Sequence, residues 1–386
     1  MHKYLIIFAF CVFFYAGATV PPLSEKARIS LLTCSPSDDN VYTLYGHTAI
    51  RVCDSVAGFD MVFNYGIFDF SKPYFIYRFA KGETDYMLRA YSFRNFLYEY
   101  SMRGSEVCEQ VMALKADERE ALWQALALNE RPENRVYRYN FFFDNCATRP
   151  AVMIEKHING GINFAQPVKS QTFRDIINYC TRNHPWVTFG CDIVVGLPAD
   201  RQMTLRESFF IPAILRSAFS TATVGNAPLV LQTTILSPAA QTESFTSTLT
   251  SPVVCSWLFF AIVLILCLLK KKFIVPVVFL LAGLAGCVLF FLSFFSVHPA
   301  IFPNINLLWL HPLHLVGAVL MCVGKKAARI YHIFNLLAII TMLILYPLVG
   351  QHFNFAFIPL IATLLSITNY ELKITNYELK ITNILK

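Results

Sequence analysis

Cys146 is the side chain of this sequence best suited to nucleophilic chemistry, because of the residues that surround it. It follows Asp144 and Asn145 in the stretch YRYNFFFDNCATRPAV, residues 137–152, where a strand-like aromatic segment leads into helix-forming sequence. Capping residues at a helix start leave backbone N–H groups and the positive end of the helix dipole near the thiol, and both stabilise a thiolate. The stretch therefore predicts an activatable cysteine at the start of a helix.

A cysteine nucleophile also needs a base within hydrogen-bond reach and a third group that orients this base. Of the histidines in residues 19–250, His184 lies in a predicted loop, and His157 lies about three helical turns beyond Cys146. His47 begins a predicted strand, which is the usual place for a base that faces a thiol at a helix start. His47 is therefore the candidate base, although a cysteine and a histidine paired by spacing alone are more often structural.

The elements around these residues predict an exported α+β domain over residues 19–220. Short apolar or alternating runs indicate strands at 28–33, 47–53 and 60–67, and the aromatic segment 137–143 leads to the cysteine. Helical patterns cover 92–101, 115–129, 147–157, 172–182 and 202–219. The polar, small and Pro-punctuated residues 221–250 indicate a linker or an extended arm.

The N-terminus and the charge distribution indicate export and a membrane. Lys3, an apolar run over residues 5–15 and Ala16-Gly17-Ala18 predict a signal peptide over residues 1–18, with an uncleaved anchor as the alternative. The formal net charge of +7 lies entirely in residues 251–386, which hold nine Lys or Arg and two Glu. Basic residues among apolar spans are typical of a membrane protein, whereas a nucleic-acid binder concentrates them on a folded domain.

Residues 251–367 read as a helical transmembrane domain of about five spans. The apolar runs each approach the roughly 20 residues that cross a bilayer, and they lie at 252–269, 273–295, 307–323, 330–349 and 353–367. Basic clusters at 270–272 and 325–329 predict cytoplasmic loops, so the N-terminal domain and residues 296–312 face outward. The heptad ITNYELK repeats through residues 368–386, which we interpret as a dispensable cytoplasmic tail too short for a coiled-coil assignment.

The exported cysteines give little sign of a metal site. Six cysteines lie in this region without a CxxC pair, and no histidine has zinc-ligand spacing, so no structural metal is expected. In an oxidising compartment Cys180 and Cys191 could close a short loop through a disulfide.

Four segments of the exported region together resemble a known family: LLTCSPSDD, YTLYGHTAIRV, VFNYGIFDF and ENRVYRYNFFFDNCATRP. They are similar to the exported domain of the Lnb-type lipoprotein N-acyltransferases of Gram-negative bacteria, over roughly residues 28–215. The order of histidine, strand and Asn-Cys at a helix start also resembles the permuted papain-like (NlpC/P60-like) fold of the lecithin:retinol acyltransferase group. The later segment VHPAIFPNINLLWLHPLHL, residues 297–315, matches the membrane half of the same family.

The resemblance implies a role for each matching residue. Cys146 is implied as the acyl-accepting nucleophile and His47 as its base. A polar residue on the strand after the histidine orients the ring in such folds, and Asn64 is our choice, with Asp60 and Asp69 as competitors.

Asn145 and Asp144 are implied either to shape the turn or to form an oxyanion site with the N–H of Cys146, and plain N-capping is the alternative. Pro150 departs from the longer uninterrupted helix that we expect there.

The reaction implied by the resemblance moves a fatty acyl chain from a phospholipid, through a cysteine thioester, to the α-amino group of a lipoprotein's diacylglyceryl cysteine. No cofactor is needed, because the sequence from ester through thioester to amide ends in the most stable acyl group. The implied location is the inner membrane, multi-pass, with the N-terminal domain in the periplasm. His298, Asn304 and Asn306, in the outward loop, are candidates for contact with the substrate or its headgroup, and interfacial anchoring is the alternative.

Two other classes of function remain open from the sequence. A Cys–His pair also serves peptidases, amidases and lipases, so a hydrolase at the periplasmic membrane surface is possible. A non-catalytic membrane-anchored binding or assembly protein, with Cys146 simply buried, is the other. The predicted membrane spans and outward polar loop favour a lipid substrate over a cell-wall one.

Overall fold

The computed structural model describes residues 20–165, 171–240, 248–271 and 273–384. The predicted signal peptide, residues 1–18, lies outside these ranges. The chain divides into two compact units. The first comprises the described residues within 1–72, 85–167 and 205–241, and the second those within 73–84, 168–204 and 242–386.

The first unit is built on an antiparallel sheet. Among the described residues its seven strands lie in the order β6-β4-β3-β2-β1-β5-β9, and a separate two-stranded ribbon pairs β7 with β8. The strand bounds are β1 Arg28–Cys34, β2 His47–Asp54, β3 Phe59–Ile67, β4 Asp85–Ser92, β5 Val107–Met112, β6 Val136–Arg138, β7 Thr223–Val224, β8 Ala227–Pro228 and β9 Val230–Ser237.

The helices divide between the two units. Their bounds are α1 Phe75–Lys81, α2 Phe93–Met102, α3 Ala116–Glu130, α4 Thr148–Lys156, α5 Phe173–Thr181, α6 Pro185–Val194, α7 Pro212–Thr221, α8 Pro252–Leu268, α9 Ile274–Phe295, α10 Leu313–Val323, α11 Lys325–Val349 and α12 Phe357–Ile384. Helices α2, α3, α4 and α7 belong to the first unit, and the other helices belong to the second.

Both faces of the sheet are covered, which explains why its central strands are apolar in consecutive positions. In β1, Ile29 and Leu31 join the larger core cluster, whereas Leu32 and Cys34 join a smaller cluster on the opposite face with Phe96 of α2. Because side chains alternate across a strand, this division means that each face of β1 is packed against other apolar residues. The sheet is therefore a rigid platform for the residues at its strand ends.

The predicted strands at 28–33, 47–53 and 60–67 are confirmed, and so are the helices at 92–101, 115–129 and 172–182. Three expectations for the first unit are corrected. The aromatic strand ends at Arg138 instead of residue 143, because Asn140 and Asp144 close a tight turn through two backbone hydrogen bonds of 3.0 and 2.9 Å. The helix expected over 202–219 begins only at Pro212, since proline fixes the first turn of α7.

The third correction concerns residues 221–250, which we expected to form a linker or an extended arm, and the structure supports the extended arm. Its middle forms β9, which pairs antiparallel with β5 along Val107–Met112. As an edge strand without a buried side chain, β9 is held through backbone hydrogen bonds on one side, so its sequence does not need to be apolar.

The second unit contains the apolar helices. Among the described residues, three helical segments are long and apolar enough to cross a membrane: Ile274–Phe295, Ile305–Val323 and Lys325–Val349. Pro252–Leu268 is a shorter apolar helix of 17 residues. Helix α12 continues without a break past residue 367, where we placed the end of the membrane domain, to Ile384.

A buried ion-pair network lies in the part of the second unit that precedes the apolar helices. Arg174 of α5 contacts Asp192 of α6 at 3.0 Å and Asp200 at 2.7 Å, and its guanidinium also donates to two backbone carbonyls. A buried arginine must be paired in this way, because an uncompensated charge is costly to remove from water. The disulfide considered for Cys180 and Cys191 is not formed, and no cysteine in the described ranges is disulfide-bonded.

The position of Leu229 allows a test of whether the segment that contains β9 packs on the first unit. Leu229 is fully buried in the core of the first unit, whereas Leu231, two residues later on β9, is 67% exposed. Leu229→Ala should therefore lower the free energy of unfolding by about 2–5 kcal/mol, and Leu231→Ala by less than about 0.5 kcal/mol. Urea unfolding of the full chain in detergent, followed by tryptophan fluorescence, measures both. Equal effects would show that this segment is a linker after all.

Candidate active site

Cys146 lies in the turn between β6 and α4, and Asn145 holds that turn in place. The Oδ1 atom of Asn145 accepts hydrogen bonds from the N–H groups of Ala147 at 2.8 Å and Thr148 at 3.0 Å. Its Nδ2 group donates to the carbonyls of Phe141 at 3.0 Å and Phe210 at 2.8 Å. Both Nδ2 hydrogens are thereby used, so the structure supports a capping role for Asn145 and leaves its amide no hydrogen for an oxyanion.

Asp144 also has a structural role. Its carboxylate forms a bidentate pair with Arg149 at 2.6 and 2.7 Å, and the Arg149 guanidinium lies 3.6 Å from the centre of the Tyr137 ring. The pair ties the turn to the first residues of α4. Pro150 is the third residue of α4, where a missing N–H leaves no intrahelical hydrogen bond unmade.

His47 begins β2, where its ring is held on two sides. The ring stacks on Tyr100 with 5.4 Å between centroids and 14° between planes. Its Nε2 atom lies 2.5 Å from Oδ1 of Asn64, which is buried on β3. The structure thus brings together His47 and the residue that we chose to orient it.

The hydrogen bonds of Asn64 assign the tautomer of His47. Nδ2 of Asn64 donates to the hydroxyl of Tyr91 at 2.7 Å, so Oδ1 is the atom that faces the histidine. A carbonyl oxygen only accepts, and Nε2 of neutral His47 must therefore carry the proton. The other ring nitrogen, Nδ1, is then unprotonated and is the atom that can act as a base.

The two competitors of Asn64 are engaged elsewhere. Asp60 pairs with Arg51 through contacts of 2.6 and 2.8 Å. Asp69 accepts hydrogen bonds from the backbone and hydroxyl of Ser71.

Gly66 shows that Cys146 and His47 are neighbours. A Cβ placed on Gly66 would lie 3.2 Å from Cβ of Cys146 and 3.9 Å from Cε1 of His47. Gly66 has a φ of +93°, and the register between β3 and β4 shifts between Asn64 and Ile67. Glycine is needed here for both its backbone conformation and its missing side chain.

Cys146, His47 and Asn64 line one cavity of about 320 Å³ in the first unit. The lining combines aromatic and apolar side chains with hydroxyl and charged ones. The former include Ile67, Phe68, Phe70, Tyr86 and Tyr139, and the latter include Ser35, Ser37, Thr43, Glu99, Arg103 and Ser105. Such a lining suits an amphiphilic ligand with an apolar part and a polar part.

Burial determines the charge state of the pair. It raises the pKa of the Cys146 thiol to about 11, although the N–H groups of Thr48 and of Cys146 itself oppose the shift by hydrogen-bonding the sulfur. Burial also lowers the pKa of His47 to about 4, although the hydrogen bond that its ring donates to Asn64 opposes the shift. The resting pair is therefore a neutral thiol beside a neutral imidazole. Desolvation thus opposes the stabilised thiolate that we expected from the helix start, and its effect on the thiol pKa is larger than that of the nearby N–H groups.

Several residues of this site were missed in the sequence. Tyr91 fixes Asn64, and its hydroxyl donates to Glu99 at 3.4 Å, which in turn pairs with Arg103 at 2.6 Å. Tyr100 supports the histidine ring. Gly66 had a signal, because an isolated glycine inside a strand pattern indicates a bulge or a close approach.

Asn304 and Asn306, predicted to contact a headgroup, are buried in the second unit. Asn304 donates to the carbonyls of Ile193 and Val194 at 2.9 and 3.0 Å, and Asn306 donates to those of Asp192 and Ile193 at 3.1 Å each. These carbonyls end α6 and lack partners within the helix, so the two amides act as its C-terminal cap. The headgroup role is corrected to a structural one.

The remaining candidate histidines are also accounted for. His298, the third predicted headgroup residue, donates from Nε2 to the carbonyl of Phe79 at 2.6 Å within the second unit. His157 ends α4, with its Nδ1 atom 2.7 Å from the Met153 carbonyl, and His184 precedes α6. Within the described ranges, no group of three or more His, Cys, Asp or Glu residues could hold a metal ion.

The pH dependence of thiol alkylation tests whether Cys146 and His47 are both neutral in the resting site. Only the thiolate reacts with iodoacetamide, so the alkylation rate of Cys146 should rise about tenfold per pH unit between about pH 6 and pH 10, below its raised pKa. A preformed thiolate–imidazolium pair would instead give a plateau at neutral pH. Mass spectrometry of the peptide that carries Cys146 measures the rate, and the same peptide from a Cys146→Ala variant gives the background.

The comparisons with known families cover both units. Residues 23–179 match the family model described as the Lnb N-terminal periplasmic domain, and residues 243–378 match the one described as the Lnb transmembrane domain. Searches of curated proteins and of solved structures returned no match. The resemblance inferred from the sequence motifs is confirmed by two separate regions in the expected order. The chain therefore belongs to the Lnb family, as a membrane protein with a periplasmic N-terminal domain and a transmembrane domain.

Proposed function

We propose that this protein is a cysteine-dependent lipoprotein N-acyltransferase. The observation that carries the proposal is the hydrogen bond from His47 to Asn64 beside Cys146, within a cavity that suits an amphiphile. A thiol, an oriented base and its orienting amide are the parts that acyl transfer through a thioester requires. Membership of the Lnb family supports lipoprotein biosynthesis as the setting.

The architecture that we propose is a permuted papain-like domain attached to about five membrane spans. The order of base at the start of β2, amide on β3 and thiol before α4 supports this fold. Helices α8 to α12 are the candidates for these spans, and the basic clusters at 270–272 and 325–329 support a cytoplasmic position for their loops. In this topology the protein lies in the inner membrane and the thiol lies on its periplasmic side.

The first half of the proposed reaction forms an acyl-enzyme. Nδ1 of His47 takes the thiol proton while the sulfur of Cys146 attacks the carbonyl carbon of a phospholipid ester. The N–H groups of Cys146 and Thr48, which already hydrogen-bond the sulfur, are placed to stabilise the oxyanion that develops. When the C–O bond breaks, the imidazolium returns its proton to the departing glycerol oxygen, which leaves a thioester and a lysophospholipid.

The second half transfers the acyl group to the acceptor. The neutral α-amino group of a lipoprotein's diacylglyceryl cysteine attacks the thioester carbonyl, and Nδ1 takes the proton that the nitrogen loses. The C–S bond then breaks, and the imidazolium protonates the sulfur. The products are an amide and the original thiol, so no cofactor is consumed. The half-buried position of the pair supports this course, because limiting the access of water protects the thioester from hydrolysis.

The partners that we propose are therefore a phospholipid donor, a lipoprotein acceptor and the membrane that holds both. Aromatic side chains of the cavity offer an apolar surface to an acyl chain, and the guanidinium of Arg103 offers a charge to a phosphate. A non-catalytic role for Cys146 is less well supported, because packing alone does not require the hydrogen bond that holds the half-buried His47 ring in one tautomer.

Complementation tests the function directly. In cells depleted of their own lipoprotein N-acyltransferase, the protein should convert diacyl lipoproteins to the N-acylated form, as measured by mass spectrometry of lipoprotein N-termini. Cys146→Ala should abolish the product, because it removes the atom that carries the acyl group. Cys53→Ala, a matched control at a partly buried cysteine on β2, should retain it.

Each other outcome assigns a different function. Unchanged diacyl lipoproteins despite good expression would contradict N-acyl transfer. Release of free fatty acid that depends on Cys146, without N-acylation, would identify a hydrolase. Activity that survives Cys146→Ala would remove the nucleophile assignment.

Substitutions of Asn64 test its positioning role. Asn64→Ala leaves the ring of His47 without its acceptor and should slow transfer by about 10²-fold, the cost of a reacting group displaced by about 1 Å. Asn64→Asp keeps an acceptor oxygen and should restore part of the rate. Its carboxylate would also raise the pKa of His47, so the acid limb of the pH–rate profile should move to higher pH. An Asn64→Asp variant with an unmoved acid limb would contradict the assigned contact.

A further inference from the structure

We propose that residues 74–81 form a lipid-binding surface that lies in the periplasmic interface of the bilayer. These residues lie within the range that matches the periplasmic domain of the family. In the structure, however, residues 73–84 belong to the helical second unit. The proposal rests on the membrane-spanning nature of α9 and not on acyl transfer.

Helix α1 has an apolar sequence without a protein core to cover it. Five of its seven residues are apolar or aromatic, and none of the seven, all of which the structure describes, is buried. Tyr74 is 82% exposed, Ile76 83%, Tyr77 54% and Phe79 48%. A helix this short is marginal in water on its own, so its stability must come from whatever covers its side chains. Four adjacent large exposed side chains mark a contact surface.

The position of α1 within the second unit indicates what covers it. The N–H of Val297 donates to the carbonyl of Lys81 at 2.9 Å, and the ring of His298 donates to the carbonyl of Phe79 at 2.6 Å. The ring of Tyr77 lies 5.9 Å from that of Phe291, near the C-terminal end of α9. These three contacts fix α1 at one end of a 22-residue apolar helix.

That end of α9 lies where hydrocarbon meets water on the periplasmic side. At 22 residues, α9 is long enough to cross the roughly 30 Å of a bilayer core. Its N-terminal end follows the basic cluster 270–272, and α1 contacts the opposite end. Phe294, Phe295 and Val297 at this end are also exposed, so the apolar surface of α1 continues that of a membrane-spanning helix.

The residue types of α1 suit an interface better than a protein partner. Tyrosine places an apolar ring against acyl chains and its hydroxyl in the headgroup layer. Arg78 and Lys81 are held at the rim, since both interact with Glu83, through its carbonyl at 3.1 Å and its carboxylate at 2.7 Å. Long basic side chains cover apolar surface while their charged ends stay at the level of lipid phosphates.

The same contacts give a structural role to the outward loop after α9, which was predicted to contact a headgroup. His298 uses its ring to hold α1, and Gly82 packs so closely that a Cβ would lie 3.0 Å from Val297 and 3.1 Å from the N atom of His298. The loop after α9 thus carries the lipid-binding surface instead of contacting lipid through Asn304 and Asn306.

Photo-crosslinking of the full chain in phospholipid vesicles tests the proposal. Benzoylphenylalanine is placed at residue 76, or in a control at Val56, which is 65% exposed in the β2–β3 turn of the first unit. Vesicles of phosphatidylethanolamine and phosphatidylglycerol are the probe, and intact mass measures the adduct. We expect severalfold more phospholipid adduct at residue 76 than at residue 56. Equal yields, or an adduct mainly with a second copy of the chain, would overturn the proposal.

The depth of insertion provides a second measurement. Ile76→Trp fluorescence, taken as the difference from the unsubstituted protein, should be quenched more by lipids brominated near the glycerol than by lipids brominated at the chain end. Absence of quenching by both would contradict membrane contact. Repeating both measurements on Cys146→Ala separates this proposal from the catalytic one, because lipid contact at residue 76 should persist when no acyl group is transferred.

Discussion

The hydrogen bond between His47 and Asn64 is the interaction on which the rest of the site depends. It assigns the proton to Nε2 and leaves Nδ1 unprotonated, which is the state that the proposed role as a base requires. The bond exists only if β2 and β3 keep their register and if Tyr91 on β4 holds the Asn64 amide in one orientation. Three neighbouring strands of one packed sheet are therefore needed to define which nitrogen of a single imidazole carries the proton. A site built on strand ends gains this precision because the sheet cannot shift one strand without disturbing its neighbours.

Burial has opposite effects on two properties of the site: the reactivity of the thiol and the protection of a thioester from water. It raises the pKa of Cys146 and lowers that of His47, which removes the charged pair and makes the resting thiol a poor nucleophile. The same burial keeps water from a thioester, which is the species that a transferase must preserve. A hydrolase gains nothing from this exchange, since water is its second substrate. In the transfer that we propose, the base must therefore accept the thiol proton as the sulfur attacks.

The sequence alone was sufficient to select candidate residues where a local sequence pattern determines the secondary structure. His47 and Asn64 lie on strands with clear apolar runs, and Cys146 follows capping residues, so the sequence made all three candidates, and in the structure they line one cavity. The charge state was not found, because desolvation depends on what the whole chain packs around the pair. The β9 strand was missed because an edge strand is stabilised by its backbone, and its side chains resemble those of a linker. Asn304 and Asn306 resembled ligand-binding residues because polar side chains in an outward loop give no sign that a helix end needs capping.

The contacts between described residues divide the chain at other points than its composition does, and this difference has a physical cause. Composition changes near residue 250, which suggested that everything before it belongs to an independent exported domain. In the structure, residues 73–84 and the described part of 168–204 belong to the unit that contains the apolar helices. Their ties are polar and specific: Asn354 donates to the buried Asp192 at 2.9 Å, and His298 holds the carbonyl of Phe79. Hydrophobicity alone cannot reveal such ties, because hydrogen bonds between a loop and a helix end leave no periodic pattern. A chain cut at residue 220 would consequently separate α1 and α6 from the residues that hydrogen-bond to them.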